Sequence, residues 1–192
     1  TILNKNRVFN DIEKLIGYYF KKYNKQILAI GIGTPGLVTK DKVLFGGCEN
    51  IPELHGKDFK YFEKIFKREV FADNDVNNAA KAEYIFGASK GYKNSIMMTL
   101  GTGIGGGIIL DGKLYTGSTY YAGEIGHMCI DPDGLKCNCG SYGCFEKYAS
   151  ASALTERAIQ LLKKKIKTKL TVQGIEKYGA KAVFECADIG DK

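Results

Sequence analysis

The chain is predicted to be an α/β protein, because an amphipathic helix, a buried strand and a glycine loop follow one another near its beginning. Residues 7–24 place apolar and aromatic side chains at spacings of three and four, which is the period of a helix. The apolar run 27–32 is typical of a buried strand, and the glycines and proline of G-I-G-T-P-G then force a loop. This succession is typical of α/β folds, in which loops at strand ends often bind ligands.

The next elements follow from spacing and turn chemistry. Residues 38–45 predict a hairpin arm, residues 57–67 a second amphipathic helix, and residues 70–72 another short strand. The polar stretch D-N-D-V-N-N should begin a helix, because Asp and Asn are good N-caps and alanines follow them. Asn74 and Asp75 are therefore expected where a strand ends and a helix begins.

A polar, glycine-bearing stretch at residues 87–94 is predicted to separate two lobes. Residues 95–100 predict a strand, and residues 108–115 a hairpin, since the central Asp-Gly pair suits a type I′ turn. From Glu146 onward the apolar spacing becomes helical. Two further short helices are predicted at residues 172–178 and 181–188.

The composition is that of a globular protein, with 44% hydrophobic and 26% charged residues. No apolar run is long enough to span a membrane and no secretory signal opens the chain, so a cytoplasmic protein is expected. The net charge of +7 suits either nucleic acid or a polyanionic small substrate such as ATP. The lysine run at residues 163–169 is better explained as the solvated end of a helix than as a nucleic-acid contact.

Three cysteines and a histidine have the spacing of a zinc site. Cys137, Cys139 and Cys144 follow His127 closely, and three thiols with one imidazole can supply the four ligands of tetrahedral zinc. C-x-C is a poor spacing for a disulfide, so metal binding in a reducing compartment is the favoured interpretation. The remaining cysteines are predicted to be small buried side chains: Cys48, Cys129 and Cys186.

The glycine-rich stretch 101–107 could bind phosphate. Its bare backbone N–H groups can surround phosphate oxygens, and Thr102 adds a hydroxyl donor. It is neither a Walker A loop nor a dinucleotide fingerprint, and a strand follows it rather than a helix. A simple glycine-rich bend between two strands explains the stretch equally well.

Carboxylates at two places could act on a sugar. Asp75 could accept the proton of a substrate hydroxyl, although a carboxylate at a helix start is more often only a cap. Glu124 and Glu146 flank the zinc ligands and could each accept hydrogen bonds from adjacent sugar hydroxyls. His127 could bind zinc with one ring nitrogen and present the other to a ligand. The alternative is a self-contained zinc knuckle with both glutamates merely on its surface.

The Asn-Asp pair, the glycine-rich stretch and the cysteine-histidine group, in this order, resemble the motifs of the ROK family of sugar kinases and sugar-responsive repressors. The resemblance is carried by N-D-V-N-N-A, L-G-T-G-I-G-G-G and A-G-E-I-G-H, followed by G-L-K-C-N-C-G-S-Y-G-C-F-E-K-Y-A-S. The loop G-I-G-T-P-G also fits. The resemblance covers residues 27–152 and extends weakly to F-E-C-A-D-I-G-D near the end.

The resemblance implies an actin-like, ribonuclease-H-like α/β fold of two lobes with a cleft between them. Residues 1–92 would be the small lobe carrying the catalytic aspartate, and residues 93–192 the large lobe with the phosphate loop and zinc segment. The family's N-terminal hairpin, which carries its first phosphate loop, and its C-terminal adenosine-binding part have no counterpart here. The chain is therefore expected to be truncated at both ends.

The resemblance also implies ATP- and Mg²⁺-dependent phosphorylation of a hexose or N-acetylhexosamine, usually at the 6-hydroxyl, with a structural zinc ion. Asp75 would be the catalytic base. The sugar ligands would be Gly36, Asn74, Glu124, His127 and Glu146. The phosphate loop would be formed by Gly101, Thr102, Gly103, Gly105, Gly106 and Gly107. The zinc ligands would be His127, Cys137, Cys139 and Cys144.

Two other classes of protein remain open from the sequence. A sugar-sensing repressor of the same family would bind DNA through a segment ahead of the first lobe. A zinc-knuckle nucleic-acid binder would interleave basic and aromatic residues among the cysteines, and this is disfavoured because Glu146 opposes it. Both the kinase and the repressor would bind a small sugar, and the kinase would also bind ATP. By resemblance to the family, the protein would be a homodimer or a homotetramer.

Overall fold

The computed structural model describes residues 7–40, 42–48 and 51–191. Its α-helices are α1 (Val8–Tyr23), α2 (Lys60–Phe66), α3 (Asp75–Phe86), α4 (Glu146–Ala149), α5 (Ala151–Lys163), α6 (Val172–Tyr178) and α7 (Ala180–Asp188). Its strands are β1 (Ala29–Thr34), β2 (Leu37–Val38), β3 (Leu44–Gly46), β4 (Glu69–Asn74), β5 (Ser95–Leu100), β6 (Ile104–Leu110) and β7 (Lys113–Tyr115). These elements confirm the predicted mixture of helices and strands.

Strands β1 and β4 form a parallel pair whose carboxyl ends lie side by side. In their register Gly33 is opposite Asp73 and Thr34 is opposite Asn74. This pairing extends β4 two residues beyond the predicted strand at 70–72, because the polar residues continue the ladder before the helix begins. The pair therefore brings the predicted glycine loop after β1 next to the start of α3.

The other strands form two antiparallel arrangements. Strands β2 and β3 make the predicted hairpin, although Asp41, one of the two residues around which it was predicted, lies outside the described residues. Strands β5, β6 and β7 form a sheet in that order. The turn between β6 and β7 has positive φ at both Asp111 (49°) and Gly112 (75°), which confirms the predicted type I′ geometry.

The chain divides into two compact units. Unit 1 comprises Thr1–Ser95 with Ile108–Ala122, and unit 2 comprises Ile96–Gly107 with Gly123–Lys192. The predicted assignment of residues 1–92 to a small lobe and 93–192 to a large lobe stays a prediction. Among the described residues, no helix combines the length and the apolar character needed to cross a membrane.

The core of unit 1 is built on two aromatic side chains. Phe59 and Phe62 are completely buried with Leu44 and Val70, and Phe9 from α1 stacks on Phe62 at a centroid distance of 4.7 Å. Aromatic side chains of this size contribute most of the apolar area that a small core removes from water. The core includes Ile30 of β1 and Val70 of β4, so this strand pair packs against it.

The buried side chains of the unit 2 helices are three alanines, Ala153, Ala158 and Ala182, and one larger residue, Ile175. The cysteine predictions are only partly right. Cys48 is buried, but Cys186 is half-buried and Cys129 is exposed. Cys129 lies on a surface segment whose neighbours Met128 and Ile130 are exposed as well, so the segment has no core to enter.

The helical stretch that begins at Glu146 is interrupted at Ser150. This residue has extended backbone angles (φ −76°, ψ 163°), and its hydroxyl accepts a hydrogen bond from the Ala153 N–H at 3.1 Å. It therefore ends α4 and caps α5, so that two helices replace the one that apolar spacing predicted. Ser150 is buried, which keeps its hydroxyl away from competing water.

Replacing Ser150 by alanine is expected to destabilise the protein by about 1 kcal/mol, because the buried Ala153 N–H loses its only side-chain partner. Urea unfolding of the complete protein should show a lower midpoint at an unchanged slope. Ser152→Ala, in the first turn of the same helix, is the matched control and should shift the midpoint far less. Equal shifts for the two variants would contradict the capping role.

Candidate metal centre and catalytic residues

The four predicted zinc ligands lie together in unit 2. The ligand atoms of His127, Cys137, Cys139 and Cys144 are all within 4.8 Å of one another. The Cys139 and Cys144 sulfurs are 3.6 Å apart, and the Cys137 sulfur is 3.7 Å from His127 Nδ1. With zinc–sulfur bonds of about 2.3 Å, the edge of a tetrahedral site is roughly 3.7 Å long. We call this group the Cys3His cluster, and its donor atoms fit a tetrahedral zinc ion.

Tight backbone turns hold the cluster. The Cys137 N–H donates to the Ser141 carbonyl at 2.8 Å, and the Gly140 N–H donates to the Cys137 carbonyl at 3.1 Å. At Gly143 φ is +67°, and a Cβ there would lie 1.6 Å from the Asp131 carbonyl oxygen. Only glycine allows so close an approach, and the residue that follows is the buried Cys144, a member of the cluster.

The thiols differ in their ease of ionisation. Burial raises the pKa of Cys144 to about 12 and also raises the pKa of Cys137. By contrast, a backbone N–H, from Ser141, lowers the pKa of Cys139. A bound cation stabilises thiolates, so metal binding here would be accompanied by proton release.

Two glutamates contact the imidazole of the cluster. His127 Nδ1 lies 3.9 Å from Glu146 Oε1, on the side of the thiols, and Nε2 lies 3.9 Å from Glu124 Oε2. Burial raises the pKa of Glu124, an effect that His127 opposes and Glu146 reinforces. The predicted sugar ligands of unit 2 therefore form one group of two carboxylates around one imidazole.

Glu146 is more than a surface residue of a zinc knuckle. Its Oε1 accepts a hydrogen bond from the Cys137 thiol at 3.3 Å, and its side chain is only 20% exposed. A Cβ placed on Gly103 would lie 2.7 Å from its Oε2. Glu146 is thus in contact with the Cys3His cluster on one side and with the glycine-rich stretch on the other.

Only the first part of the glycine-rich stretch is a loop. Gly101–Gly103 form an exposed or half-buried turn, closed by a 3.0 Å hydrogen bond from the Gly101 N–H to the Gly103 carbonyl. The Gly101 carbonyl accepts from the Ala151 N–H at 2.9 Å, which ties the turn to the start of α5. This confirms a glycine-rich bend between two strands. Phosphate binding stays a prediction.

The later glycines lie within β6, where Gly106 and Gly107 are buried. A Cβ on Gly106 would lie 2.4 Å from the Gly123 carbonyl oxygen, so this glycine is required by close backbone packing. That requirement exists whether or not a phosphate binds. Within this stretch, the turn that includes the exposed residue Thr102 is the part accessible to a phosphate.

In unit 1, Asn74 and Asp75 lie at the predicted junction of strand and helix. Asn74 Oδ1 accepts from the Val76 and Asn77 N–H groups at 2.9 and 3.1 Å, so Asn74 caps α3. Its Nδ2 donates to the Gly36 carbonyl at 3.1 Å. Asp75 is exposed, and among the described residues its carboxylate accepts only from the adjacent Val76 N–H.

Gly46 and Gly47 contact the predicted sugar ligand Gly36, and the sequence did not point to either of them. Gly36 has φ of +89°, and a Cβ there would lie 2.1 Å from the Gly46 carbonyl oxygen and 2.9 Å from the Gly47 carbonyl carbon. The loop after β1 therefore packs directly on the end of β3. The consecutive glycines after a predicted strand were the signal that could have indicated this contact.

Fold and site together define a two-unit α/β protein with an Asn-Asp pair at a strand end and a Cys3His cluster in its second unit. The ROK family model matches residues 4–192, and the chain belongs to the ROK family. The structural neighbours have the actin-like ATPase fold, which confirms the predicted fold class for the part of the fold spanned here.

Relatives include both kinases and regulators. The chain is 44% identical over 140 residues to a glucokinase of Streptomyces coelicolor, a match that covers 70% of this chain and 43% of that protein. It is similar to a ROK family glucokinase from Streptomyces griseus in complex with glucose and AMPPNP, with a TM-score of 0.76, 34% identity, and coverage of 95% and 61%.

A ROK family transcriptional regulator, a homolog of the E. coli MLC protein, has a TM-score of 0.81 and 29% identity. The match covers 97% of this chain and 48% of that one. The chain spans about half the length of the curated relatives it matches, which is 43% of one glucokinase and 54% of another.

Proposed function

We propose that the protein transfers the γ-phosphoryl group of ATP to a hexose or N-acetylhexosamine, with the 6-hydroxyl as acceptor and Asp75 as general base. The observation that carries this proposal is that Asn74, and not Asp75, caps α3. Asn74 caps α3, which leaves the Asp75 carboxylate exposed and without an ion pair among the described residues. Asp75 is therefore not needed as the cap, and a free carboxylate can accept the proton of a hydroxyl.

Asn74 and Gly36 support this role in unit 1. The bond from Asn74 Nδ2 to the Gly36 carbonyl fixes the loop after β1, and the same side chain fixes the first turn of α3. Both are proposed to contact the sugar. Phosphoryl transfer depends chiefly on positioning and electrostatic stabilisation, so a rigid frame around the base is what the reaction requires.

In unit 2, Glu124, His127 and Glu146 are proposed to bind sugar hydroxyls. The carboxylates of Glu124 and Glu146 accept hydrogen bonds, and His127 Nε2, on the side away from the thiols, is available to a ligand. Thr102 and the N–H groups of the Gly101–Gly103 turn are proposed to bind phosphate oxygens, with Mg²⁺ brought by ATP.

The Cys3His cluster is proposed to hold a structural zinc ion. Four protein ligands leave zinc no open position for substrate, so the ion would cross-link its loop and take no part in the reaction. Because His127 belongs to both groups and Glu146 contacts Cys137, the metal would fix the orientation of the proposed sugar ligands.

A sugar-sensing regulator is the second candidate, and the similarity to a solved ROK transcriptional regulator supports it. Such a protein would use the same sugar ligands without needing a base at Asp75. The proposed kinase is favoured because the chain retains an exposed carboxylate at that position.

A pair of assays on the complete protein separates the two functions. A coupled ADP-release assay with glucose, N-acetylglucosamine and N-acetylmannosamine should show sugar-dependent turnover of MgATP. A DNA shift assay with the same sugars should show no sugar-sensitive complex. Sugar-sensitive DNA binding without ADP release from any of the three sugars would establish the regulator and overturn the kinase.

A further inference from the structure

Unit 1 contains a cavity of about 530 Å³ that includes none of Gly36, Asn74 or Asp75 in its lining. We call it the basic cavity. It lies among the β2–β3 hairpin, β4, α3 and β7, and its volume is in the range of small-molecule sites. Four lysines line it, which are Lys40, Lys42, Lys81 and Lys113. Among the described residues in its lining, Asp73 is the only carboxylate.

Two of the four lysines are already paired. Lys81 Nζ lies 2.9 Å from Asp73 Oδ2, and Lys42 Nζ lies 2.5 Å from Glu63 Oε1. The Lys42 ammonium lowers the pKa of the Glu63 carboxyl, and the hydrogen bond from the Val70 N–H lowers it further.

Lys40 and Lys113 form no ion pair within the part of the chain that the structure describes, which leaves out Asp41. Within the described ranges, these two positive charges therefore have no compensating carboxylate. Both side chains are exposed, so water screens their mutual repulsion, and a bound anion would be attracted by both ammonium groups.

Two hydroxyl groups in the cavity lining can donate a hydrogen bond to a ligand. Tyr120 OH accepts from the Lys40 N–H at 3.4 Å, and Thr39 Oγ1 accepts from the Val43 N–H at 3.2 Å. Because each oxygen already accepts from the backbone, its own O–H remains to be donated to a ligand. Lysine ammonium groups are also donors only, so the lining offers a surplus of donors to an acceptor-rich ligand.

Two lining residues have left-handed backbone conformations that their side chains disfavour. Lys42 has φ of 65° and Tyr120 has φ of 66°. The Tyr120 ring packs edge-on against Phe45 at 6.0 Å, which keeps its hydroxyl at the cavity. Strained residues persist where surrounding contacts enforce them, and they often mark binding sites.

We propose that the basic cavity is a second anion site, which binds a small phosphate monoester in addition to the substrates of the proposed reaction. A phosphate monoester carries a charge of roughly −1.5 to −2 at neutral pH, which matches the two unpaired lysines, and its oxygens accept from the hydroxyls. Phe71, which is 57% exposed and lines the cavity, offers an apolar surface to the organic part.

The test is isothermal titration of the complete protein with inorganic phosphate and, separately, with glucose 6-phosphate. The double variant Lys40→Gln, Lys113→Gln removes both unpaired charges and keeps the length of the side chains. It should weaken one phosphate-binding event per chain by about tenfold or more, because both charge-assisted hydrogen bonds to the phosphate are lost. Tyr120→Phe, which removes a donor and keeps the ring, should weaken the same event by a smaller factor.

The matched control is Lys163→Gln, Lys164→Gln, which changes the net charge equally at the end of α5 in unit 2. It should leave phosphate binding unchanged. Equal weakening by the two double variants, or wild-type binding by Lys40→Gln, Lys113→Gln, would overturn the site. The comparison is restricted to the binding event that Lys40→Gln, Lys113→Gln weakens, because glucose 6-phosphate could also bind as a product at the proposed sugar site. Tighter binding of glucose 6-phosphate than of phosphate in that event would support an organic monoester as the ligand, and equal affinities would overturn it.

Discussion

If the complete protein is the proposed kinase, replacing Asp75 by asparagine is expected to lower its kcat on the order of 10²- to 10⁴-fold, the usual contribution of a general base. Asparagine keeps the size of the side chain and can still accept from the Val76 N–H, but it cannot take the proton of the sugar hydroxyl. Affinity for the sugar should change little, because the capping and loop contacts belong to Asn74. The measurements are steady-state ADP release and sugar titration by calorimetry.

Asp188→Asn is the matched control, since it makes the same chemical change at an exposed position at the end of α7. Its kcat should equal that of the wild type. Turnover by Asp75→Asn at the wild-type rate would show that Asp75 is not the general base. Loss of sugar binding in step with loss of turnover would instead show that Asp75 acts as a ligand.

The second large effect is expected at the Cys3His cluster. Cys139→Ser should abolish stoichiometric zinc, because it removes one of four ligands from an exposed position and barely changes packing. Sugar affinity should fall about tenfold or more, since hydrogen bonds to charged groups are worth about 1.5–3 kcal/mol and their geometry depends on the fixed imidazole. Elemental analysis and sugar titration on the same preparation measure both quantities.

Cys129→Ser provides the comparison, because Cys129 is also an exposed cysteine and lies opposite Cys144 in an isolated antiparallel bridge. It should keep one zinc per chain and normal sugar affinity. If Cys139→Ser loses its zinc yet binds sugar as tightly as the wild type, the metal does not organise the sugar ligands.

Local signals predicted most of the secondary structure. The period of three and four gives α1 to within about a residue at each end, and Asp-Gly gives the β6–β7 turn. The break between α4 and α5 at Ser150 was not predicted, because the apolar spacing continues across it. The capping serine is the one local signal of a new helix start. The length of β4 was also missed, since it depends on pairing with β1.

The candidate site was predictable where its residues are close in sequence. The spacing of the three cysteines and His127 indicated a tetrahedral cluster, and the structure brings their donor atoms together. Contacts between distant segments were not predictable. Nothing near Gly103 indicates that it touches Glu146, and nothing near Lys113 indicates that it shares a cavity with Lys40. Such proximity is set by tertiary packing.

The contact between Gly103 and Glu146 couples the glycine-rich turn sterically to the cysteine loop. Any side chain at position 103 would push the Glu146 carboxylate away from its present position, where it lies beside His127 and the Cys137 thiol. The preference for glycine here comes from the position of the Glu146 carboxylate in the cysteine loop. A substitution in the turn would therefore be felt at the cysteine loop, and a shorter side chain at position 146 would relax the preference for glycine at position 103.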